Sequence, residues 1–204
     1  LSEKYHTLKT FGNYNNEIGL PMTLLGLSYE NDAVVLEMGM SAAGEIEYLS
    51  RIAAPKIAVI TNIGMSHIGK LGSREAIRDA KLEIVRGFGP DGVLILNGDE
   101  PLLAGMRGAV YVAVENKKSD CRIENITEGE NGTAFDIVMN GERFESITIP
   151  TLGAHNALNA AYAWVVGRIA GLDEFEIRRG LKKFKNAAMR QNVYNSGGRI
   201  IMDD

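Results

Sequence analysis

Apolar runs without polar alternation constrain this chain most. Ala33 to Leu36, Ile57 to Ile60 and Val93 to Leu96 are continuous hydrophobic stretches, the pattern of strands covered on both faces in a parallel sheet. Between them lie stretches at helical spacing, Gly44 to Ala54 and Ser73 to Phe88, the second opened by a serine suited to an N-cap. The alternation is βαβ and predicts an α/β fold, a mostly parallel sheet flanked by helices. A shorter crossover starting near Glu100 and Pro101 leads to a strand over Val110 to Val114. Beyond it Arg122 to Ile126, Thr133 to Met139 and Arg143 to Ile149 alternate more, and Asn131-Gly132 and Asn140-Gly141 separate them. Those dipeptides signal hairpins, so a small antiparallel β meander is expected over about residues 121–150, inserted into the α/β layer or leaning on it. Ala157 to Ile169 reads as a buried helix and Glu174 to Phe184 as an amphipathic one. A last strand pair, Asn192 to Asn195 and Arg199 to Met202, turns at Ser196-Gly197-Gly198.

With 204 residues, 45% of them hydrophobic, the chain suffices for one sizeable core and no second large domain. Its formal net charge of −4, with acids and bases interspersed, offers no basic footprint for nucleic acid and no polybasic membrane patch, which points to small ligands. Apolar stretches are short or broken by charge, as Arg168 breaks the run ending at Val166, so no membrane insertion is expected. Cys121 is the single cysteine and cannot form an internal disulfide, which fits a soluble protein of the reducing cytoplasm. The chain opens on Leu1 rather than Met and stops at Asp203 and Asp204 straight after a strand-like run, so it reads as part of something longer.

In an open α/β sheet ligands bind beyond the carboxyl ends of the strands. The apolar runs here end in polar residues: Glu37, then Thr61 and Asn62, then Asn97 and Asp99, and finally Asp203 and Asp204. Each either marks the chain's exit into solvent or belongs to a cation-phosphate site. His67 lies in the loop after the second run, and that loop leads into the helix bearing Lys81. Lys81 falls four residues after Ile77 and four before Val85, on the apolar stripe. An ammonium there must snorkel, find a partner or be chemically altered. Desolvation favours the neutral amine, which can take up carbon dioxide and become a carbamate, an anionic oxygen donor for a hard cation. Glu37, His67 and Lys81 lack the spacing of a zinc finger or a zinc protease, and neither a complete Walker A loop nor a serine-hydrolase elbow is present.

Taken together, GNYNNEIGLPMTLL from Gly12, LEMGMSAAGEIEYL from Leu36, TNIGMSHIGKLGSREAI from Thr61 running into AKLEI, GAHNALNA from Gly153 and the final IIMDD resemble the Mur ligase family, ATP-dependent enzymes that form amide bonds. The resemblance covers nearly the whole chain. It implies that residues 1–204 are a single central, ATPase-type domain of P-loop-like fold, with the Walker A loop and an N-terminal domain upstream and a C-terminal domain downstream, so that this stretch alone would be inactive. It implies ATP and Mg2+ as cofactors, UDP-N-acetylmuramoyl-tripeptide and D-alanyl-D-alanine as substrates in peptidoglycan precursor synthesis, and a monomeric full-length enzyme. By the same resemblance Glu37, His67 and a carbamylated Lys81 would ligate magnesium. His155 would pack on adenine, with Asn156 beside it and Asn159 bonding the base edge. Asp204 would face the ribose, Asn15 and Asn16 would contact phosphate or the acyl group, and Arg190 would reach the ATP phosphates. Lys81, His67 and Arg190 would then carry the catalysis. The chain departs from the family pattern at Ala154, where an arginine is usual, and at Met189, where a glycine is usual. A folylpolyglutamate-type or cyanophycin-type amide ligase, or a nonenzymatic nucleotide-binding module, are the alternative readings.

Overall fold

The computed structural model describes residues 1–185, 192–197 and 199–203. The chain runs through β1 (Thr7–Lys9), α1 (Gly19–Leu25), β2 (Ala33–Val35), α2 (Glu45–Ala53), β3 (Ile57–Ile60), α3 (Ile68–Leu71), α4 (Arg74–Leu82), β4 (Val93–Asn97), β5 (Val110–Ala113), β6 (Cys121–Gly129), β7 (Gly132–Met139), β8 (Glu142–Ile149), α5 (Ala154–Ile169), α6 (Glu174–Lys182), β9 (Asn192–Ser196) and β10 (Arg199–Asp203). Strands β3 to β8 form one sheet in sequential order. Its β3-β4, β4-β5 and β5-β6 pairs are parallel, and β6-β7 and β7-β8 are antiparallel. The meander therefore extends the parallel layer rather than forming a separate leaf.

β4 shows why unbroken apolar runs belong here. Successive side chains of a strand point to opposite faces. Ile95 enters a core with Val112, Phe135, Ile137 and Trp164 of α5, while Leu94 and Leu96 enter a second core with Ile60, Ile63 and Ile77 of α4. Both faces are thus covered, by α5 and by α4. In the first core Phe144 and Trp164 have ring centroids 5.0 Å apart, within the favourable range for tilted aromatic pairs.

The run Ala33 to Leu36 fares differently. β2 pairs only with β1, in a separate two-stranded parallel sheet, and Val34 and Val35 are 36% and 48% exposed. An unbroken apolar run fixes strand character without showing that both of its faces are covered within the same stretch of chain.

The expected single helix over Ser73 to Phe88 is two pieces. Ser73 caps α4, its Oγ accepting from Ala76 N–H at 3.1 Å, but after Leu82 the backbone tightens into a 3-10 turn, Glu83–Gly87. Two contacts with α2 explain the break. The Glu83 carboxylate accepts the Gly44 N–H at 2.8 Å, satisfying a donor at the start of α2. Gly87 lies so close to Ser50 that a Cβ there would sit 2.0 Å from its carbonyl oxygen. The turn leaves Val85 37% exposed, off the stripe it shares with Ile77 in an ideal helix.

Asn140 and Gly141, both with positive φ, form the two-residue loop of the second hairpin, as their sequence demands. In the first hairpin the loop residues are Glu130 and Asn131, one step earlier than expected, because Gly132 is already paired with Gly129. Gly132 serves close approach instead: φ is +126° and a Cβ would fall 2.0 Å from the Ile149 carbonyl oxygen. α6 opens with a capping box in which Asp173 and Glu176 satisfy each other's backbone N–H groups, and it ends at Lys182 rather than Phe184. No helix among the described residues is long and apolar enough to cross a membrane.

Candidate functional site

Lys81 is half-buried beside Ile77 and Ala80 on α4, and its amine donates to the Asn62 carbonyl oxygen at 2.8 Å. Asn62 lies two residues beyond the end of β3, so the amine stands at the carboxyl edge of the parallel sheet. Burial lowers the pKa of this amine from its ordinary value, opposed by the negative charge of Glu100. A lowered pKa favours the neutral form of the amine.

Glu37 follows β2 by two residues and is exposed at the corresponding end of that strand. Its backbone N–H donates to Thr10 Oγ1, and its Oε1 accepts from Asn15 Nδ2 at 2.8 Å. The Asn15 backbone carbonyl accepts the Gly39 N–H at 2.7 Å, so the Asn15 segment and the Glu37 segment are fastened at two points. Asn16 is occupied differently: its Oδ1 accepts from Ile18 and Gly19 N–H, closing the turn into α1. His67 is exposed directly before α3, with φ of +65°, a left-handed conformation in a residue that is not glycine. An open groove of about 460 Å³ runs beside these elements between Ser41, Ala43, Lys70, Ala76, Ala80 and Glu83.

α5 starts at Ala154, three residues before the expected Ala157, and this earlier start puts the GAHNALNA residues on a helix. Gly153 makes it possible: with φ of +104°, a Cβ there would lie 2.5 Å from the His155 ring. His155, Asn159 and Tyr162 are spaced by four and three residues and share one face. His155 and Asn159 are exposed, whereas Tyr162 is buried and donates to the Thr61 carbonyl at 3.1 Å. That bond ties this face of α5 to the same strand end that Lys81 reaches. Asn156 points elsewhere, its Nδ2 donating to the Leu152 carbonyl at 2.7 Å and to Thr151 Oγ1. Tyr162 escaped the sequence reading, although its spacing from Asn159 is the signal that finds it.

Two strand-end polar residues are consumed by the backbone. Asp99 accepts from the N–H groups of Val114, Glu115 and Asn116, and Asn97 Oδ1 accepts from Asp99 N–H. They fix the β4 and β5 ends rather than offering a cation site. Among the described residues, no three His, Cys, Asp or Glu side chains are gathered so that they could hold a metal ion. Arg190 and Asp204 lie outside the described residues.

The sequence profile of the Mur ligase middle domain matches residues 1–167. UDP-N-acetylmuramoyl-tripeptide--D-alanyl-D-alanine ligase of Bacillus subtilis is 44% identical over 206 aligned residues, covering 100% of this chain and 44% of the relative. A crystal structure of MurF from Acinetobacter baumannii superposes with a TM-score of 0.92 at 31% identity, over 100% of this chain and 46% of that one. MurF ligase from Thermotoga maritima, solved in complex with ADP, gives 0.86 at 28% identity, over 100% of this chain and 48% of that one. The chain thus spans about half the length of the curated relatives it matches. With the profile covering most of its length, the chain belongs to the Mur ligase family and carries the middle domain of that family.

Proposed function

We propose that the protein carrying this chain is an ATP-dependent ligase that joins D-alanyl-D-alanine to UDP-N-acetylmuramoyl-tripeptide, in the cytoplasmic synthesis of peptidoglycan precursors. The observation that carries this reading is the similarity to the Bacillus subtilis ligase across the entire chain. The site chemistry supports it. Joining a carboxylate to a triphosphate requires cancelling their mutual repulsion, and an acid just beyond β2, Glu37, and a half-buried amine reaching the end of β3, Lys81, offer donor chemistry for cations that would do so.

In this reading the tripeptide carboxylate oxygen attacks the γ-phosphorus of ATP, and ADP leaves. The D-alanyl-D-alanine amine then attacks the acyl carbon, giving the amide, inorganic phosphate and a proton. Glu37 and Lys81 fit magnesium by donor chemistry, Glu37 as a carboxylate and Lys81 once converted to a carbamate, and His67 is assigned as a further ligand by family resemblance. When bound, magnesium neutralises charge on the transferring phosphoryl group. Asn15 holds the Glu37 carboxylate in place through its Oε1. His155 and Asn159, exposed on α5, are assigned to an adenine ring and its edge by family resemblance, and Asn156 braces the loop before them. Arg190 and Asp204 are assigned to the ATP phosphates and the ribose by family resemblance, as is Asn16 to the phosphate or acyl group.

The phosphate loop and the flanking N- and C-terminal domains are assigned to the rest of the polypeptide, and a monomer is proposed, by family resemblance. Strand pairing favours the first of these, the phosphate loop. β2 is bonded to β1 alone and β3 to β4 alone among the described residues, so each keeps one open edge. A parallel strand between them would merge both sheets and deliver a phosphate-binding turn between Glu37 and Thr61.

The test is a ligation assay on the full-length protein with magnesium, ATP, D-alanyl-D-alanine and tripeptide substrate labelled with 18O in its terminal carboxylate. Amide and ADP should form together, with one 18O atom passing into inorganic phosphate. ATP turnover without amide, or unlabelled phosphate, would refute the proposal.

A further inference from the structure

The loop between β3 and α3 carries His67 with a left-handed backbone, a conformation costing about 1–2 kcal/mol in a residue other than glycine. Such a conformation persists only where the surroundings hold it. Three successive carbonyls of this loop are gripped by side chains from elsewhere: Thr61 by Tyr162, Asn62 by Lys81 and Ile63 by Arg74. The third grip is the most elaborate. Arg74 brackets the Ile63 oxygen with Nη2 at 2.8 Å and Nε at 3.2 Å, and the same Nη2 donates to Glu100 Oε2 at 2.8 Å.

Neither partner sits where helix or surface energetics would put it. Arg74 is the first residue of α4, where a cation opposes the helix dipole. The Glu100 residue is only 8% exposed, and burying a carboxylate is costly without compensation. Its compensation is Arg74 on one oxygen and the Leu102 N–H on the other. The pair therefore spans the loops that follow two adjacent strands, β3 and β4, and anchors the first to the second. Ile63 itself is buried in the core against Ile60 and Ile77, so its carbonyl is a fixed point from which the chain proceeds to His67.

We propose that Arg74, with Glu100 as its counter-charge, is a positioning residue for the ligase reaction. It touches neither substrate nor metal and acts through the Ile63 carbonyl, setting the course of the loop from Thr61, through the carbonyl that Lys81 holds, to His67. This assignment rests on the ligase reading above, and its test has an arm that does not need ligation.

The experiment compares the full-length protein with Arg74→Ala and Arg74→Lys, using ligation kinetics and hydrogen exchange of amides 61–68 read by mass spectrometry. Arg74→Ala should lower kcat about 10- to 100-fold, the range seen when a residue supporting a metal or catalytic ligand is lost. KM for D-alanyl-D-alanine should change less than about threefold, since that substrate meets none of these groups. Exchange at 61–68 should accelerate while the β4–β6 amides keep their protection. Arg74→Lys keeps the charge facing Glu100 but cannot bracket one oxygen with two N–H groups, so it should recover only part of kcat and of loop protection. This variant also decides the matter if Arg74→Ala does not fold. Unchanged kcat with unchanged loop exchange in Arg74→Lys would overturn the proposal, as would a loss of kcat in Arg74→Ala with the loop still fully protected. A wild-type protein that does not ligate would defeat the ligase reading, and the exchange arm would still report on the clamp.

Discussion

Replacing Asp136 with alanine should loosen the antiparallel half of the sheet in a way the geometry lets us size. Asp136 sits on β7 between two irregular strands, facing Asn125 of β6 and Ser146 of β8, both non-glycine residues with positive φ at breaks in the pairing register. Its Oδ2 accepts from Asn125 Nδ2 at 2.7 Å and its Oδ1 from Ser146 N–H at 2.9 Å. One carboxylate therefore fastens two bulges. Hydrogen bonds to a charged acceptor contribute roughly 1.5 kcal/mol each at the lower end of their range, about 3 kcal/mol for the two. The Arg143 pair, 41% exposed on the arginine side, adds little. Native-state hydrogen exchange on the full-length protein reads this directly: amides of β6 to β8 should lose protection by roughly 150-fold in Asp136→Ala, with β3 and β4 unaffected. The Asn125 amide, followed by the Ser146 N–H and Arg143, holds this carboxyl below the usual carboxylate range. A depressed pKa gives stability that is complete above the unfolded-state value and lost as pH falls through the folded-state value. The gap between wild type and variant should accordingly close on acidification. A loss of protection below about fivefold at neutral pH, or a gap that widens in acid, would refute the bulge-fastening role.

Two further outcomes follow from local geometry. Gly132→Ala combines a positive φ with a Cβ 2.0 Å from the Ile149 oxygen and should destabilise the meander by about 3 kcal/mol or more, whereas Gly129→Ala, with open space at its Cβ, should cost about 1 kcal/mol or less; equal exchange behaviour of the two variants would contradict this. Cys121 is fully buried and its thiol is pushed up to about 12, by burial first and then by Asp120, so at pH 8 it should react with a thiol reagent only as fast as the protein opens. Labelling at the rate of a free thiol would refute that.

Much of the layer was legible because its physics is local. The apolar runs at Ile57 and Val93 and the strand expected at Val110 became adjacent parallel strands of one sheet. What escaped depends on distant partners. β1 is three residues with one exposed position, and α1 contains Pro21, so neither carries much periodic signal. The break after Leu82 is imposed by Ser50 and Gly44, more than thirty residues away. At the site the odd placement of Lys81 was visible as a charge on an apolar stripe, and Glu37 as a strand-end acid. Asp99 carried the same strand-end signal and proved to bind backbone N–H groups, because a carboxylate at a chain turn satisfies either role. Arg74 and Glu100, 26 residues apart across a crossover, give no sequence sign of meeting.

The proposed chemistry turns on the Lys81 amine at the end of β3 becoming an oxygen donor for the cation assigned to Glu37 and His67. Carbon-13 NMR of the full-length protein equilibrated with 13C-bicarbonate tests it most directly, with Mn2+ as a paramagnetic stand-in for magnesium. A carbamate resonance should appear, be absent in Lys81→Arg and broaden when Mn2+ is added. No resonance dependent on Lys81, or one that Mn2+ leaves untouched, would contradict it.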